Sequence, residues 1–450
     1  MKLTRRDFGS FSAGLPLLAS GVVASFPSDP DVVVVGAGVA GLAAAQSLID
    51  GGQRVQVIEA APRIGGRCFT DTASFGTPFD KGAAWLRQAD QNPLSGFALL
   101  HRFKTALPYP KELLFAGGKL VSPAANPVYE RAYDAVSLAL AEAAEAESDT
   151  TGAMIVAPNV DAQTKAWIAT VSAQIGALDM GIDLENLSVK DWFMRDEVEP
   201  SRLVREGLGT LVGRLGMGLP ISVNTSARSI RVDAGGRAFV ETNKGTLRTK
   251  AVIVTPSIGV LASGAISIDR SISQTLQRGL AGMQMGSMIK IALSYDQGSP
   301  ATRYPENSIF LPQLADQRGF YFLVRPFGAP LVICISGGAL ALDLEAQTEK
   351  VRLEFARDNL RSLIGKNADR GLRFSESTNW SRNPLFLGCV AAARPGELQA
   401  REALAAPIAE CIYLAGEALA EKAVQTAHGA YASGRQTARR VLSYLKRRQR

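Results

Sequence analysis

Residues 31–41 read DVVVVGAGVAG and continue as LAAAQSLI. Four consecutive valines, apolar and β-branched, make a buried strand. Gly36, Gly38 and Gly41 then spell G-x-G-x-x-G at the start of a helix. The first glycine allows the tight turn, the second lets a pyrophosphate approach the backbone, and the third lets helix pack on strand. Free N–H groups at a helix N-terminus favour an anion. A second strand over residues 54–58 ends in Glu59, about 20 residues on, where a carboxylate accepts from a ribose hydroxyl. Strand, glycine turn, helix, strand and acid in this order predict a βαβ unit made for a dinucleotide.

The chain has 450 residues, 46% of them hydrophobic and 20% charged, enough for more than one packed core. Its formal net charge of +7 is concentrated at the ends. Residues 1–24 carry a net +2, and Lys446, Arg447, Arg448 and Arg450 carry +4. The body is therefore close to neutral, which does not suggest a nucleic-acid partner, and none is expected. Thr4-Arg5-Arg6-Asp7-Phe8, followed by an apolar stretch to Phe26, resembles a twin-arginine signal. Pro16, glycines and serines interrupt that stretch, so it is a poor membrane span. Residues 1–26 are thus expected to be a signal peptide, read by the twin-arginine export machinery, with a periplasmic destination. Cys68, Cys334, Cys389 and Cys411 are scattered without a C-x-x-C pair. With His101 and His428 the only histidines, no metal site or Ser-His-Asp triad is expected.

Residues 87–203 read mainly as helix, most clearly over 129–147. Residues 220–256 alternate like strands, with Gly235-Gly236 and Asn243-Lys244-Gly245 as turns. Strands are expected at 287–296 and 330–337 and a helix at 344–364. From Cys411 the pattern returns to strand, glycine turn and helix. Nucleotide-type elements at both ends predict a discontinuous domain.

Five blocks in order resemble the flavin-dependent amine oxidase family, which includes monoamine, polyamine and L-amino-acid oxidases. They are VVVVGAGVAGLAAA at 32–45, EAAPRIGGR at 59–67, FDKGAAWL at 79–86 followed by Asn92-Pro93, MGSMIKIAL at 285–293, and YLAGEAL at 413–419 with TAHGAYASG at 426–434. The third is close to the polyamine-oxidase form. The resemblance spans about residues 30–445 and implies FAD rather than NAD, since the Gly65-Gly66-Arg67 block is typical of FAD members.

By the same resemblance, Gly66 and Arg67 lie near the flavin and pyrophosphate, and the Ala227 backbone faces the adenine. Gly416 and Glu417 belong to the block that holds the pyrophosphate and ribityl chain. Ala427 begins a helix whose dipole favours negative charge on the reduced flavin. Lys290 lies in an apolar strand, where an unpaired ammonium is costly. Its pattern alone favours a solvent face, but the resemblance implies a lysine that holds a water against the flavin. Trp85 and Trp380 are expected in the substrate pocket. The two positions where many amine oxidases carry aromatic rings fall on Val390 and Thr426, so a wider pocket is expected. Cys389 matches the cysteine that carries covalent flavin in the monoamine oxidases, although many relatives bind flavin without that bond.

The implied fold is α/β: a doubly wound, Rossmann-like FAD-binding domain from 27–86, 204–276 and 388–450, and an α+β substrate domain from 87–203 and 277–387. The implied reaction is oxidation of the C–N bond of a polyamine or bulky amine to an imine, with electrons passed to O2 or a periplasmic acceptor. Three other readings stand beside it. They are an L-amino-acid oxidase using Arg87 for the carboxylate, a C–C desaturase, and a flavin-binding interaction protein without turnover.

Overall fold

The computed structural model describes residues 29–105, 111–123, 126–154, 160–195 and 199–448. The Arg5-Arg6 pair and the apolar stretch after it lie outside the described residues. Every residue of the strand Val32–Val35 is buried. It is the central strand of a five-stranded parallel sheet, with Val55–Ile58 and Ile221–Ser222 to one side and Ala251–Val254 and Ile412–Leu414 to the other. Strands covered on both faces are expected to be continuous apolar runs, and VVVV and AVIV are such runs. Chain order reverses beside the first strand, which opens a crevice at its carboxyl end.

The helix Val39–Asp50 packs along the C-terminal helix Ala427–Arg448. A Cβ on Gly434 would fall 2.1 Å from the Ala40 carbonyl oxygen, so that glycine sets the approach of the two helices. The two ends of the chain are thereby brought to one crevice.

A second sheet has seven strands in the order Leu372–Ser377, Met288–Tyr295, Leu331–Gly337, Phe320–Val324, Ser308–Pro312, Lys111–Ala116 and Lys119–Leu120. Its pairs are antiparallel except Ser308–Pro312 with Lys111–Ala116. The segment 87–203 is therefore not helical throughout. Leu113, Leu114 and Phe115 have ordinary helix propensity, but strand pairing and a core place override it. The single helix expected over 344–364 is two, Gly338–Ala346 and Glu349–Ile364. Gln347 and Thr348 are extended between them. The first of these helices carries Glu345, whose carboxylate accepts from the Trp380 and Ser381 N–H groups at 2.8 and 3.0 Å.

Met283–Gly286 and Val390–Ala393 form a separate two-stranded antiparallel sheet, with Gly286 opposite Val390. A Cβ on Gly286 would lie 2.6 Å from the Met180 carbonyl oxygen, so the close approach needs glycine there.

Candidate functional site

A cavity of about 400 Å3 starts in the crevice of the parallel sheet and reaches Lys290 of the second sheet. Its nucleotide end is backbone. Gly36 has φ +102°, and a Cβ there would lie 2.4 Å from Thr255 Oγ1. Gly41 lies outside the lining: its Cβ would stand 2.0 Å from the Gly36 carbonyl oxygen, where helix meets turn. Gly38 is different. Its Cβ would meet nothing closer than the Gly66 Cα at 3.9 Å, so its open side faces the cavity. Gly66 sits across from it at φ +57°. A Cβ on Gly416 would also point into open space.

Glu59 lines the same end. Its Oε2 accepts from the Ala37 N–H at 2.7 Å and its Oε1 from the Ala61 N–H at 2.8 Å. Each oxygen keeps a lone pair for a hydroxyl donor. Ala227 opens the strand Ala227–Val232 at the cavity wall, and Ala427 opens the 22-residue C-terminal helix there. A dinucleotide fits this donor set: open glycine backbone and helix N-termini for the phosphates, and a fixed carboxylate for a ribose.

Arg67 does not stand alone. Its Nη1 donates to Glu417 Oε1 at 2.9 Å and to the Cys389 carbonyl at 2.7 Å. Glu417 Oε2 also accepts from the Ala391 N–H at 3.3 Å. The Glu417 carboxylate is thus committed to Arg67 and to the strand beside it, and the pair ties the second sequence block to the fifth.

The other end is organised by three successive carbonyls. Lys290 Nζ donates to the Asp80 oxygen at 2.8 Å and the Gly82 oxygen at 2.6 Å. The Lys81 oxygen between them accepts from Trp380 Nε1 at 2.9 Å. The Lys290 backbone is clamped as well: its N–H donates to Thr378 Oγ1, and its carbonyl accepts from the Thr378 N–H, each at 2.9 Å. A Cβ on Gly82 would fall 1.7 Å from the Arg67 oxygen, so only glycine lets this loop cross the Arg67 backbone. The Lys290 side chain is turned into the cavity rather than onto a solvent face. No carboxylate lies within ion-pair distance of its ammonium among the described residues. Desolvation pushes the ammonium down to about 8, with nearby Asp80 opposing the shift.

The sequence profile of the family described as flavin-containing amine oxidoreductase matches residues 39–442. The chain belongs to the flavin-containing amine oxidoreductase family. It is an FAD-dependent oxidoreductase with a Rossmann-type cofactor fold, and a flavin-binding protein without turnover is set aside. Probable polyamine oxidase 4 of Arabidopsis thaliana is 26% identical over 92% of this chain and 88% of its own length. Lysine-specific histone demethylase 2 of Homo sapiens is 24% identical over 92% of this chain and 53% of its own length. Among solved structures, wild-type putrescine oxidase bound to putrescine has a TM-score of 0.78 at 18% identity, covering 93% of this chain and 100% of that one. Cyclohexylamine oxidase from Brevibacterium oxydans has a TM-score of 0.75 at 19% identity over 93% and 100%.

In this family member the cavity also gathers Trp85, Trp380, Val390, Thr426 and Cys389. Thr426 is a helix cap as much as a wall: its Oγ1 accepts from the Gly429 N–H at 2.9 Å and donates to the Ala423 carbonyl at 2.7 Å. Cys389 Sγ is engaged by the Met288 N–H and carbonyl at 3.2 and 3.3 Å, and burial pushes the thiol up to about 12. Arg87 is no free cation, lying 3.8 Å from Asp179 and 3.7 Å from Glu199. Asp179 and Tyr321 also line the cavity, and neither carries a motif that marks it. The carbonyl clamp is missed too, since a backbone role leaves no side-chain signature. Gly82 was its one visible trace.

Two glycine substitutions separate the phosphate cradle from the fold. Gly38→Val is expected to yield folded protein without FAD, because its side chain meets only the space the diphosphate needs. Gly41→Val is expected to fail as folded protein, because it drives carbon into the Gly36 carbonyl. Flavin absorbance and thermal melts check both, and full flavin occupancy in Gly38→Val rules the cradle out.

Lys290→Met keeps the stem and removes the cation. It should retain fold and FAD yet slow electron transfer to the acceptor by about 10²-fold, the scale of one preorganised electrostatic group. In the parent protein this rate should fall as pH rises through about 8, where the ammonium is lost. The variant should be flat there. Stopped-flow re-oxidation across pH 6–10 gives the comparison, and superimposable profiles remove Lys290 from the reaction.

Proposed function

We propose that this protein oxidises a C–N bond of a polyamine or other bulky amine to the imine, which water then hydrolyses. We also propose that it works in the periplasm after twin-arginine export. The observation that carries the substrate reading is the pair Val390 and Thr426 in the lining. Small side chains stand where many amine oxidases have aromatic rings, in the same cavity as Lys290 and Trp380. Bound FAD supplies the two-electron acceptor for the hydride equivalent. The protein's part is to orient the amine, exclude water and present fixed dipoles.

Asp179 supports a substrate with more than one amine. Its carboxylate lines the cavity, and its contact with Arg87 is loose at 3.8 Å. A second ammonium of the substrate can compete for it. The same ion pairs speak against the amino-acid oxidase reading, because Arg87 already faces two carboxylates. The name of the Arabidopsis relative and the putrescine seated in the solved neighbour point to the same substrate class. The electrons then pass to O2 or to a periplasmic acceptor.

The pocket should turn over long or secondary amines faster than benzylamine. Thr426→Tyr should move the profile toward small primary amines, at a stability cost of about 1 kcal/mol for the lost cap. A parent enzyme that works best on benzylamine contradicts the reading. Cofactor attachment is expected to be non-covalent, since Cys389 is a neutral, hydrogen-bonded thiol. Acid precipitation should release all colour to the supernatant, whereas a yellow pellet would establish a covalent link. Replacing Arg5 and Arg6 together by lysine keeps the charge but should abolish export. Unchanged periplasmic yield of that double variant contradicts the signal.

A further inference from the structure

A second cavity of about 500 Å3 approaches Lys290 from another side. It shares Ala84, Trp85, Lys290 and Ile335 with the first and is otherwise separate. Its walls are mostly apolar, with Phe79, Leu323, Ile333 and Pro330 among them. Its other charged groups each have a partner among the described residues. The Asp80 carboxylate accepts from Thr70 Oγ1 and from the Leu208 and Gly209 N–H groups. Glu206 accepts from the Lys104 N–H at 3.0 Å, and the Arg205 guanidinium sits 4.7 Å over the Phe327 ring. An ammonium substrate entering here meets the Lys290 cation at the inner end. A small neutral, apolar molecule meets no such barrier.

We infer that this cavity admits dioxygen to the Lys290 side of the reaction centre, by a route separate from the amine's. The inference rests on the amine-oxidation reading for the source of electrons. Each dioxygen takes two electrons from the reduced cofactor and two protons, and leaves as hydrogen peroxide. Oxygen gains negative charge with the first electron, and the Lys290 ammonium stands where the two cavities meet to stabilise it. Two of its three N–H donors are spent on the Asp80 and Gly82 carbonyls, which leaves one for that purpose. The amine and its imine can then occupy the first cavity without closing the path of the oxidant.

The test uses the FAD-loaded full chain. Crystals pressurised with xenon, a probe that enters dry apolar cavities, should show density between Phe79, Leu323 and Ile333. Ala329 is half-buried in the cavity wall, outside the amine's cavity. Ala329→Trp should fill the passage, keep FAD content and leave anaerobic reduction by amine unchanged. Re-oxidation by dioxygen should slow about ten-fold, equal to about 1.4 kcal/mol of barrier. Leu203→Phe, which fills the cavity from another wall, should act in the same direction. Reducing with dithionite makes the re-oxidation measurement independent of which amine is the substrate. A failure of the substrate reading therefore shows separately, as flavin that no amine reduces. Absence of xenon together with unchanged re-oxidation in both variants overturns the inference. So does a variant that slows amine reduction equally, or one that blocks a soluble benzoquinone but not dioxygen.

Discussion

Three successive backbone carbonyls, those of Asp80, Lys81 and Gly82, fix the Lys290 end of this protein's cavity. The outer two hold the Lys290 ammonium and the middle one holds the Trp380 indole. An ammonium with no carboxylate in ion-pair reach is expensive to desolvate, and neutral carbonyl dipoles meet only part of that cost. The site keeps the remainder as a lysine that loses its proton near neutral pH more readily than an exposed one. The clamp depends on Gly82, because its loop crosses the Arg67 backbone where a Cβ has no room. The Lys81 side chain anchors the loop from outside, between Asp71 at 2.9 Å and Glu376 at 2.6 Å. Lys290 and Glu376 both belong to the seven-stranded sheet, so the loop ties the cofactor crevice to that sheet.

A second tie runs parallel to this one. Arg67 and Glu417, 350 residues apart, form a largely buried ion pair beside the cofactor crevice. Arg67 also holds the Cys389 carbonyl, and Glu417 the Ala391 N–H. The residues that follow each glycine turn of the cofactor cradle thus also position the strand carrying Val390. The crevice wall and the strand carrying Val390 are joined by hydrogen bonds within the protein itself.

Much of this could be read in the chain before any coordinates. The cradle was legible because its requirements are local: an open face at Gly38, a left-handed turn at Gly66 and a carboxylate at Glu59 each leave a residue type at a fixed spacing. Lys290 was ambiguous, because an alternating strand pattern reports that a residue faces away from the core but not what lies on that side. Here it is a cavity. The strand Lys111–Ala116 was hidden for a different reason: its partner, Ser308–Pro312, is nearly 200 residues away, and pairing overrode a composition that suits a helix. The second cavity has no signature at all, since its walls come mostly from apolar residues scattered over 77–85, 203–206 and 323–335. The pocket charges were half legible. Arg87 stood out beside the third block, but Asp179 and Glu199, which occupy it, lie in segments without motifs.

These features together describe a flavoenzyme whose cradle, clamp and cavity serve one chemistry, removal of two electrons from an amine carbon. Anaerobic titration of the purified yellow protein with spermine tests that most directly. The account predicts that the flavin absorbance bleaches in proportion to added spermine, one two-electron equivalent per bound FAD. A flavin that dithionite bleaches but spermine and other amines leave oxidised would contradict it.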